Sequence, residues 1–231
     1  MWRSTVFATI GLLATIGSLS AQTPAQSPPA ASPPAAAETP NAPEPMEDVQ
    51  TGDHWTYQVR DDITGEIKST ITNTVTDASA TEINIRSSLL GNPNVGYQTY
   101  DRSWNLTNSG IWRFSPNDGS GIRLPLTVGK SWSFKITALN TKAGNSLKRS
   151  GTSKVVGQES VTTSAGTFDT FKIETTLQDE NAADSTKKLQ LVQQMWYAPA
   201  IDHWVKRNSV TRSDGRVREK NSVELVEYGR R

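Results

Sequence analysis

Two short segments hold the only histidines of the chain, and they are where its residue types could do chemistry. They read Asp53-His54-Trp55 and Asp202-His203-Trp204. A histidine beside a carboxylate can carry protons, and two such pairs brought together would offer zinc the nitrogen and oxygen donors that it prefers. The candidate metal ligands are therefore His54, His203, Asp53 and Asp202. A metal-binding protein or a hydrolase that uses these two sites is one hypothesis for the function.

The local pattern favours a simpler interpretation of both segments. Adjacent residues on a strand point to opposite faces, so Asp and His in one tripeptide do not converge by default. A third segment, Gly129 to Phe134, repeats the spacing of Gly52 to Tyr57: glycine, two polar residues, tryptophan, a hydroxyl residue and an aromatic ring. It has Lys130-Ser131 in place of Asp-His. We therefore expect two equivalent strand entries, each placing polar residues before a buried tryptophan, and no cofactor.

Other catalytic patterns are missing from the sequence. The chain has no cysteine, and no Gly-x-Ser-x-Gly segment that would place a serine nucleophile. Gly129-Lys130-Ser131 resembles the end of a phosphate-binding loop, but Leu124 stands where that loop needs glycine. The sequence favours a non-catalytic binding or envelope-associated protein over an enzyme.

Two tryptophans beside predicted loops are the candidate ligand-binding residues. Trp104 and Trp112 could stack on sugar rings or contact an apolar ligand, although core packing is the alternative for both. The expected partners are thus a lipid, another apolar ligand or a cell-wall glycan. The formal net charge of +1 lacks the strong basic excess of nucleic-acid-binding proteins, so we expect no nucleic-acid partner.

The elements that position these residues are predicted to be strands. Trp55, Tyr57 and Val59 alternate with polar residues, as do many later segments, and turn residues such as Asp214-Gly215 separate them. No segment of eleven residues after the N-terminal region has a helical period. We predict an all-β fold, an antiparallel meander of about 9–11 strands that forms a curved sheet, a half-barrel or a sandwich.

Basic side chains gather near the end of the chain. Eight lysines and arginines follow Val205, among them Lys206 and Arg207, against four acidic residues. We interpret them as a solvated, charged sheet edge that resists pairing with other strands. Contact with anionic lipid or cell-wall polymer is the alternative.

The chain divides into three predicted regions. Residues 1–21 resemble a signal peptide, with Arg3 before a short apolar run and small residues at its end. Residues 22–47 form a proline- and alanine-rich linker that we expect to be disordered, since it has no aromatic residue to bury. Residues 48–231 form a single β-rich domain. We expect a periplasmic or secreted protein that does not span a membrane once the signal peptide is removed.

Three short motifs carry a resemblance to a known family. They are the Gly-x-x-Trp-x-Tyr segment that begins at Gly52, the segment Ala165 to Glu174, and Trp196-Tyr197-Ala198-Pro199 followed by Val205-Lys206-Arg207. Over about residues 50–230 the chain resembles the uncharacterised bacterial DUF3108-like family. The resemblance implies an exported, β-rich domain with a curved sheet, and it implies no catalytic residues. Asp202-His203 stands where such proteins often have glycine.

Overall fold

The structure is a computed structural model that describes residues 46–230. Twelve strands and one short 3-10 helix, Pro199–Ile201, make up its regular elements. The strands are β1 His54–Asp61, β2 Ile67–Ala78, β3 Glu82–Leu89, β4 Val95–Asp101, β5 Leu106–Ser109, β6 Trp112–Ser115, β7 Ser131–Asn140, β8 Ser146–Thr163, β9 Gly166–Asn181, β10 Lys188–Ala198, β11 His203–Ser213 and β12 Arg216–Gly229. Within this part of the chain, no helix has the length and apolar character needed to cross a bilayer.

The twelve strands form a closed antiparallel barrel in which each strand pairs with its neighbours in sequence. β1 closes the barrel by pairing with both β2 and β12. The all-β antiparallel meander and the curved sheet are therefore confirmed, in the form of a complete barrel and not a sandwich. The described residues contain twelve strands where the sequence predicted 9–11. The two shortest strands are β5 and β6, of four residues each.

Closure of the sheet also corrects our interpretation of the basic C-terminal segment. β11 and β12, which carry most of these residues, are paired on both sides. The described part of the chain therefore has no sheet edge for them to protect. A bulge at Val205 interrupts the alternation of β11, because Trp196 pairs with Lys206 and Tyr197 with Trp204. Beyond the bulge, Arg207 lies opposite the buried Met195 and faces the interior.

The predicted equivalence of two strand entries is visible in the backbone hydrogen bonds. The Gly52 N–H donates to the carbonyl of Val75 on β2, and the Gly129 N–H donates to the carbonyl of Val155 on β8. In return Val75 and Val155 donate to the carbonyls of Asp53 and Lys130, each at 2.8 Å. β1 and β7 thus enter the barrel in the same way, and their tryptophans, Trp55 and Trp132, are both buried.

The barrel interior holds two groups of buried apolar residues. The first surrounds Trp55 and includes Ile83, Phe168 and Leu225. The second surrounds Phe134 and is formed mainly by β7 to β10. Each residue reaches the interior because the inner and outer faces of a strand alternate.

One end of the barrel is closed by residues that precede β1. Met46 and Val49 are buried against the first apolar group, and the Met46 N–H donates to the Ala200 carbonyl at 2.7 Å. The packed domain therefore includes Met46, which the sequence placed in the linker at 22–47. The predicted signal peptide at 1–21, and the linker up to residue 45, lie outside the described residues.

The long loop between β6 and β7 packs into the barrel and not over its surface. Gly119 and Gly121 are buried within it, as is Ile122. A Cβ atom added at Gly119 would lie 2.3 Å from the Phe134 ring, and one at Gly121 would lie 2.3 Å from the Ser103 carbonyl oxygen. Glycine is required at both positions because the loop backbone approaches its neighbours so closely.

Candidate functional site

The barrel encloses a cavity of about 490 Å³ between the two apolar groups. Aliphatic side chains from most strands form much of its wall, together with the aromatic rings of Tyr57, Tyr100, Trp104, Tyr197 and Trp204. The volume lies within the range of about 300–1,000 Å³ that is common for small-molecule pockets. The cavity is therefore large enough for a ligand and is lined mainly by apolar and aromatic groups.

One charged group in the wall is fully paired. Arg149 on β8 donates two hydrogen bonds to the Asp179 carboxylate on β9, at 2.7 and 2.8 Å, and lies 4.0 Å from an Asp118 oxygen. Burial by itself would lower the pKa of Arg149. The hydrogen bonds to Asp179 and the negative charges of Asp179 and Asp118 outweigh burial, so the pKa is raised. This cluster holds the 116–130 loop against β8 and β9.

Asp118 belongs to the same cluster. Its carboxylate accepts hydrogen bonds from the Leu106 and Ser120 backbone amides and from the Ser120 hydroxyl. Burial raises the pKa of Asp118. These hydrogen bonds, and separately the positive charge of the nearby Arg149, oppose the rise. The local hydrogen bonds satisfy both carboxylate oxygens of Asp118.

Arg207 on β11 differs from Arg149. Its guanidinium carbon lies 4.4 Å from the centre of the Trp204 ring, which is a cation–π contact. In residues 46–230 no carboxylate lies within 4.0 Å of it, and no hydrogen bond joins it to another side chain. Burial lowers the pKa of Arg207, although an arginine remains charged in proteins. A positive charge with no carboxylate of residues 46–230 within 4.0 Å therefore faces the cavity.

His203 lines the cavity and is surrounded by the rings of Trp55, Trp104 and Trp204. The centres of the Trp55 and Trp104 rings are each 4.4 Å from the centre of its imidazole. Its Nδ1 accepts a hydrogen bond from the Trp204 amide and lies 2.9 Å from the Tyr57 hydroxyl oxygen. Because Nδ1 accepts, the neutral ring carries its proton on Nε2.

Burial lowers the pKa of His203 to about 3, and the positive charge of Arg207 adds to this effect. His203 is therefore neutral at physiological pH. Within the described chain no carboxylate lies within 4.0 Å of its ring nitrogens. The residue is held as a packed, neutral imidazole and lacks the carboxylate that orients a catalytic histidine.

The four candidate metal ligands have separate partners. Asp202 accepts a hydrogen bond from the Tyr197 hydroxyl at 2.6 Å, whereas Asp53 lies 3.3 Å from Arg230 and accepts from the Gln50 amide. His54 Nε2 lies 3.8 Å from Glu227. In residues 46–230 no group of three or more His, Cys, Asp or Glu side chains is arranged to hold a metal ion. The structure thus does not bring these four side chains together.

The two candidate tryptophans also lie in different places. Trp104 lines the cavity and contacts Trp55 and Tyr100 edge to face, each with ring centres 5.6 Å apart. Trp112 begins β6, is half-buried and is not among the residues that line the cavity. The structure therefore brings only one of them to the cavity wall.

Sequence reasoning did not identify the charged residues of the cavity. Arg207, Arg149 and Asp118 come from β11, β8 and a turn-rich loop, and the sequence separates them widely. One signal was available for Arg207, because the spacing of His203, Val205 and Arg207 in the sequence predicts that they share one face of a strand. No comparable signal marked Asp118, since turn-rich loops usually lie on the surface.

Comparison with known proteins agrees with the resemblance expected from the motifs. The DUF3108-like family model matches residues 133–215, which run from β7 to the turn that follows β11. The predicted resemblance is confirmed for this segment. A search of curated protein sequences finds no significant match.

Three solved structures are similar to the chain. A predicted lipoprotein of Parabacteroides distasonis is 13% identical with a TM-score of 0.54, and the match covers 82% of this chain and all of that one. A predicted exported protein with a YmcC-like fold from Bacteroides fragilis is 13% identical with a TM-score of 0.48, covering 78% and 97% of the two chains. The hypothetical lipoprotein YmcC of Escherichia coli is 10% identical with a TM-score of 0.45, covering 76% and 83%. The chain is thus similar to the DUF3108-like family over residues 133–215, and it shares its fold with the Parabacteroides distasonis protein.

Proposed function

We propose that this protein is an exported, non-catalytic binding protein that carries a small apolar or amphipathic ligand inside its barrel. The observation that carries this function is the 490 Å³ cavity enclosed by the twelve strands. Export is proposed from the signal-like segment at residues 1–21. The catalytic alternative has less support, because His203 is a neutral ring packed between two tryptophans.

The lining favours an apolar ligand over a sugar. Aliphatic residues such as Val59, Ile71, Ile85 and Leu191 offer no hydrogen bonds to hydroxyl groups. Several of the polar lining groups are already paired within the wall. Ser87 donates to Asn73, and the Tyr100 hydroxyl donates to Gln98. A ligand that buries apolar surface would gain about 25 cal/mol for each Å² removed from water.

Exposed apolar side chains mark the end of the barrel through which such a ligand would enter. In an up-and-down barrel, the turns that follow odd-numbered strands all lie at one end. Exposed large apolar residues in or beside these turns are Ile63, Ile67, Leu89, Leu90, Val95, Ile111, Leu139, Leu189 and Val217. Leu89 also lines the cavity and is 38% exposed, so the cavity reaches this end. The opposite end is closed by Met46 and the 3-10 helix.

A neutral apolar dye tests the proposed function directly. We expect the fluorescence of N-phenylnaphthylamine to rise saturably when the dye is titrated with the native protein, and dodecanol to displace it. Leu191→Trp adds volume to the cavity wall and should weaken dye binding about tenfold or more.

The matched control is Gln190→Trp. Gln190 precedes Leu191 on β10, points outward and is exposed, so a tryptophan there leaves the cavity unchanged. Dye affinity should be the same in this variant as in the native protein. Absence of saturable dye binding by the folded native protein would contradict the proposed function.

A further inference from the structure

Arg207 is the one cavity-lining arginine that has no carboxylate within 4.0 Å in the described part of the chain. Its cross-strand neighbours on the inner face are Met195 on β10 and Val223 on β12, both buried and apolar. Val205, two residues before it, is fully buried. The guanidinium therefore projects from an apolar patch of the wall and faces the cavity. Its central carbon lies 4.4 Å from the centre of the Trp204 ring.

Arg207 differs from Arg149, the other arginine of the cavity wall, in having no hydrogen-bond acceptor among the described residues. Arg149 and Arg207 are both half-buried in the wall, but Asp179 accepts two of the N–H groups of Arg149. A guanidinium has five N–H donors in a planar fork that fits a carboxylate or a phosphate. Leaving a buried charge unpaired is costly, so proteins pair such groups or give them a ligand. None of the donors of Arg207 has a protein acceptor in residues 46–230.

We propose that Arg207 binds the negatively charged head group of an amphipathic ligand, whose apolar part fills the cavity. The head group is a carboxylate or a phosphate ester, since both match the planar donors of arginine. This inference rests on the proposed function, because the apolar part of the ligand occupies the same cavity. It adds the chemical class of the ligand and the residue that recognises it.

Asp118 is the carboxylate in the cavity wall that could oppose an anion. Its oxygens accept hydrogen bonds from Leu106 and Ser120, and one lies 4.0 Å from Arg149. Arg149 therefore compensates part of the Asp118 charge. The charge of Asp118 also acts on Arg207 from beyond 4.0 Å, but no hydrogen bond joins the two, so the N–H donors of Arg207 remain available to a ligand.

The test compares ligands that share an alkyl chain and differ in the head group. Dodecanoate, dodecyl phosphate, dodecanol and dodecyltrimethylammonium compete with N-phenylnaphthylamine for the native protein at neutral pH. We expect at least one of the two anions to bind about tenfold or more tighter than dodecanol, because a hydrogen bond between two charged groups is stronger than one to a neutral hydroxyl. The cation should bind more weakly than dodecanol. The stronger of the two anions identifies the head group.

Arg207→Met removes the charge and keeps much of the apolar side-chain volume. We expect it to abolish the preference for anions and to leave dodecanol affinity within about twofold. Lys206→Met is the matched control, because Lys206 precedes Arg207 on β11 and lies on the outer face near Trp196. It removes the same charge from the protein and should leave the preference intact.

The outcomes separate the two proposals. If dodecanol and both anions bind the native protein equally, the head-group proposal is overturned and the apolar-ligand function stands. If none of the four ligands displaces the dye and the dye itself does not bind, the proposed function fails as well. The native protein alone decides between these results, so the test stands even if Arg207→Met does not fold.

Discussion

The Tyr57 hydroxyl oxygen lies 2.9 Å from His203 Nδ1, although 146 residues separate the two in the chain. The same hydroxyl donates to the Trp204 carbonyl at 3.0 Å, and the Tyr57 ring stacks on Trp204 with the ring centres 3.8 Å apart. These contacts join β1 to β11 across the interior, with β12 between them in the sheet. They fix the positions of Tyr57, His203 and Trp204 in the cavity wall.

The low pKa of His203 predicts a stability change with pH. The unfolded chain binds a proton at this histidine below its ordinary pKa of about 6.5, whereas the folded protein does so only near pH 3. Between these values the unfolded state binds more protons, so the contribution of His203 to stability falls as the pH falls. The expected slope is about 1.4 kcal/mol per pH unit.

His203→Gln isolates this contribution. Asp118 and Asp202 have pKa values raised mainly by burial, so they favour the folded state as the pH falls and oppose the effect in the native protein. The free energies of unfolding in urea should be measured for both proteins between pH 7 and pH 4. The difference between the two free energies of unfolding should shrink as the pH falls. A constant difference would show that His203 is protonated equally in the folded and unfolded states.

The paired arginine of the cavity wall should be important for stability. Arg149→Met leaves the buried Asp118 and the half-buried Asp179 without their cation. We expect the free energy of unfolding, measured in urea, to fall by about 3 kcal/mol. Lys148→Met is the control, because Lys148 is the preceding, exposed residue on β8. Equal stability of the two variants would mean that the Arg149 cluster does not hold the loop.

Two glycines of β8 should respond differently to alanine. A Cβ at Gly151 would lie 2.4 Å from the Phe134 ring and 2.9 Å from Leu177, so Gly151→Ala should destabilise the barrel by about 1–3 kcal/mol. No atom lies within 4 Å of a Cβ at Gly157, and Gly157→Ala should be neutral or slightly stabilising. Thermal unfolding of both variants measures the contrast, and an equal loss in both would contradict it.

Metal binding by the two Asp-His-Trp segments can be tested by calorimetry. We expect no saturable heat when zinc is titrated into the native protein, because His54, His203, Asp53 and Asp202 have separate partners. The double variant His54→Ala/His203→Ala is titrated beside it. A one-to-one isotherm in the native protein that disappears in the double variant would restore the metal hypothesis.

Trp104 and Trp112 should differ as reporters of ligand binding. Trp104 lines the cavity, so Trp104→Phe should reduce the change in protein fluorescence when dodecanol binds. Trp112 lies outside the cavity lining, so Trp112→Phe should leave that change as it is in the native protein. A loss of the signal in the Trp112 variant instead would place the ligand near β6.

Much of the architecture follows from the sequence alone. Alternation in segments such as Trp55, Tyr57 and Val59 predicts strands with one buried face, because successive side chains of a strand point to opposite sides. The equivalence of the Gly52 and Gly129 entries also followed from a local pattern and is visible as matching hydrogen bonds. These features depend on neighbouring residues, so local sequence determines them.

Closure of the barrel and the composition of its cavity were decided only by the tertiary structure. β1 meets β12 across more than 150 residues, and no local pattern encodes that contact. The same closure turned Arg207 from an expected surface charge into a cavity charge. Arg149 and Asp179 are cross-strand partners on β8 and β9, and the fold of the 116–130 loop brings Asp118 to them. The alternation of apolar and polar residues along a strand indicates which residues share a face. Only the curvature and closure of the sheet decide which face encloses a cavity.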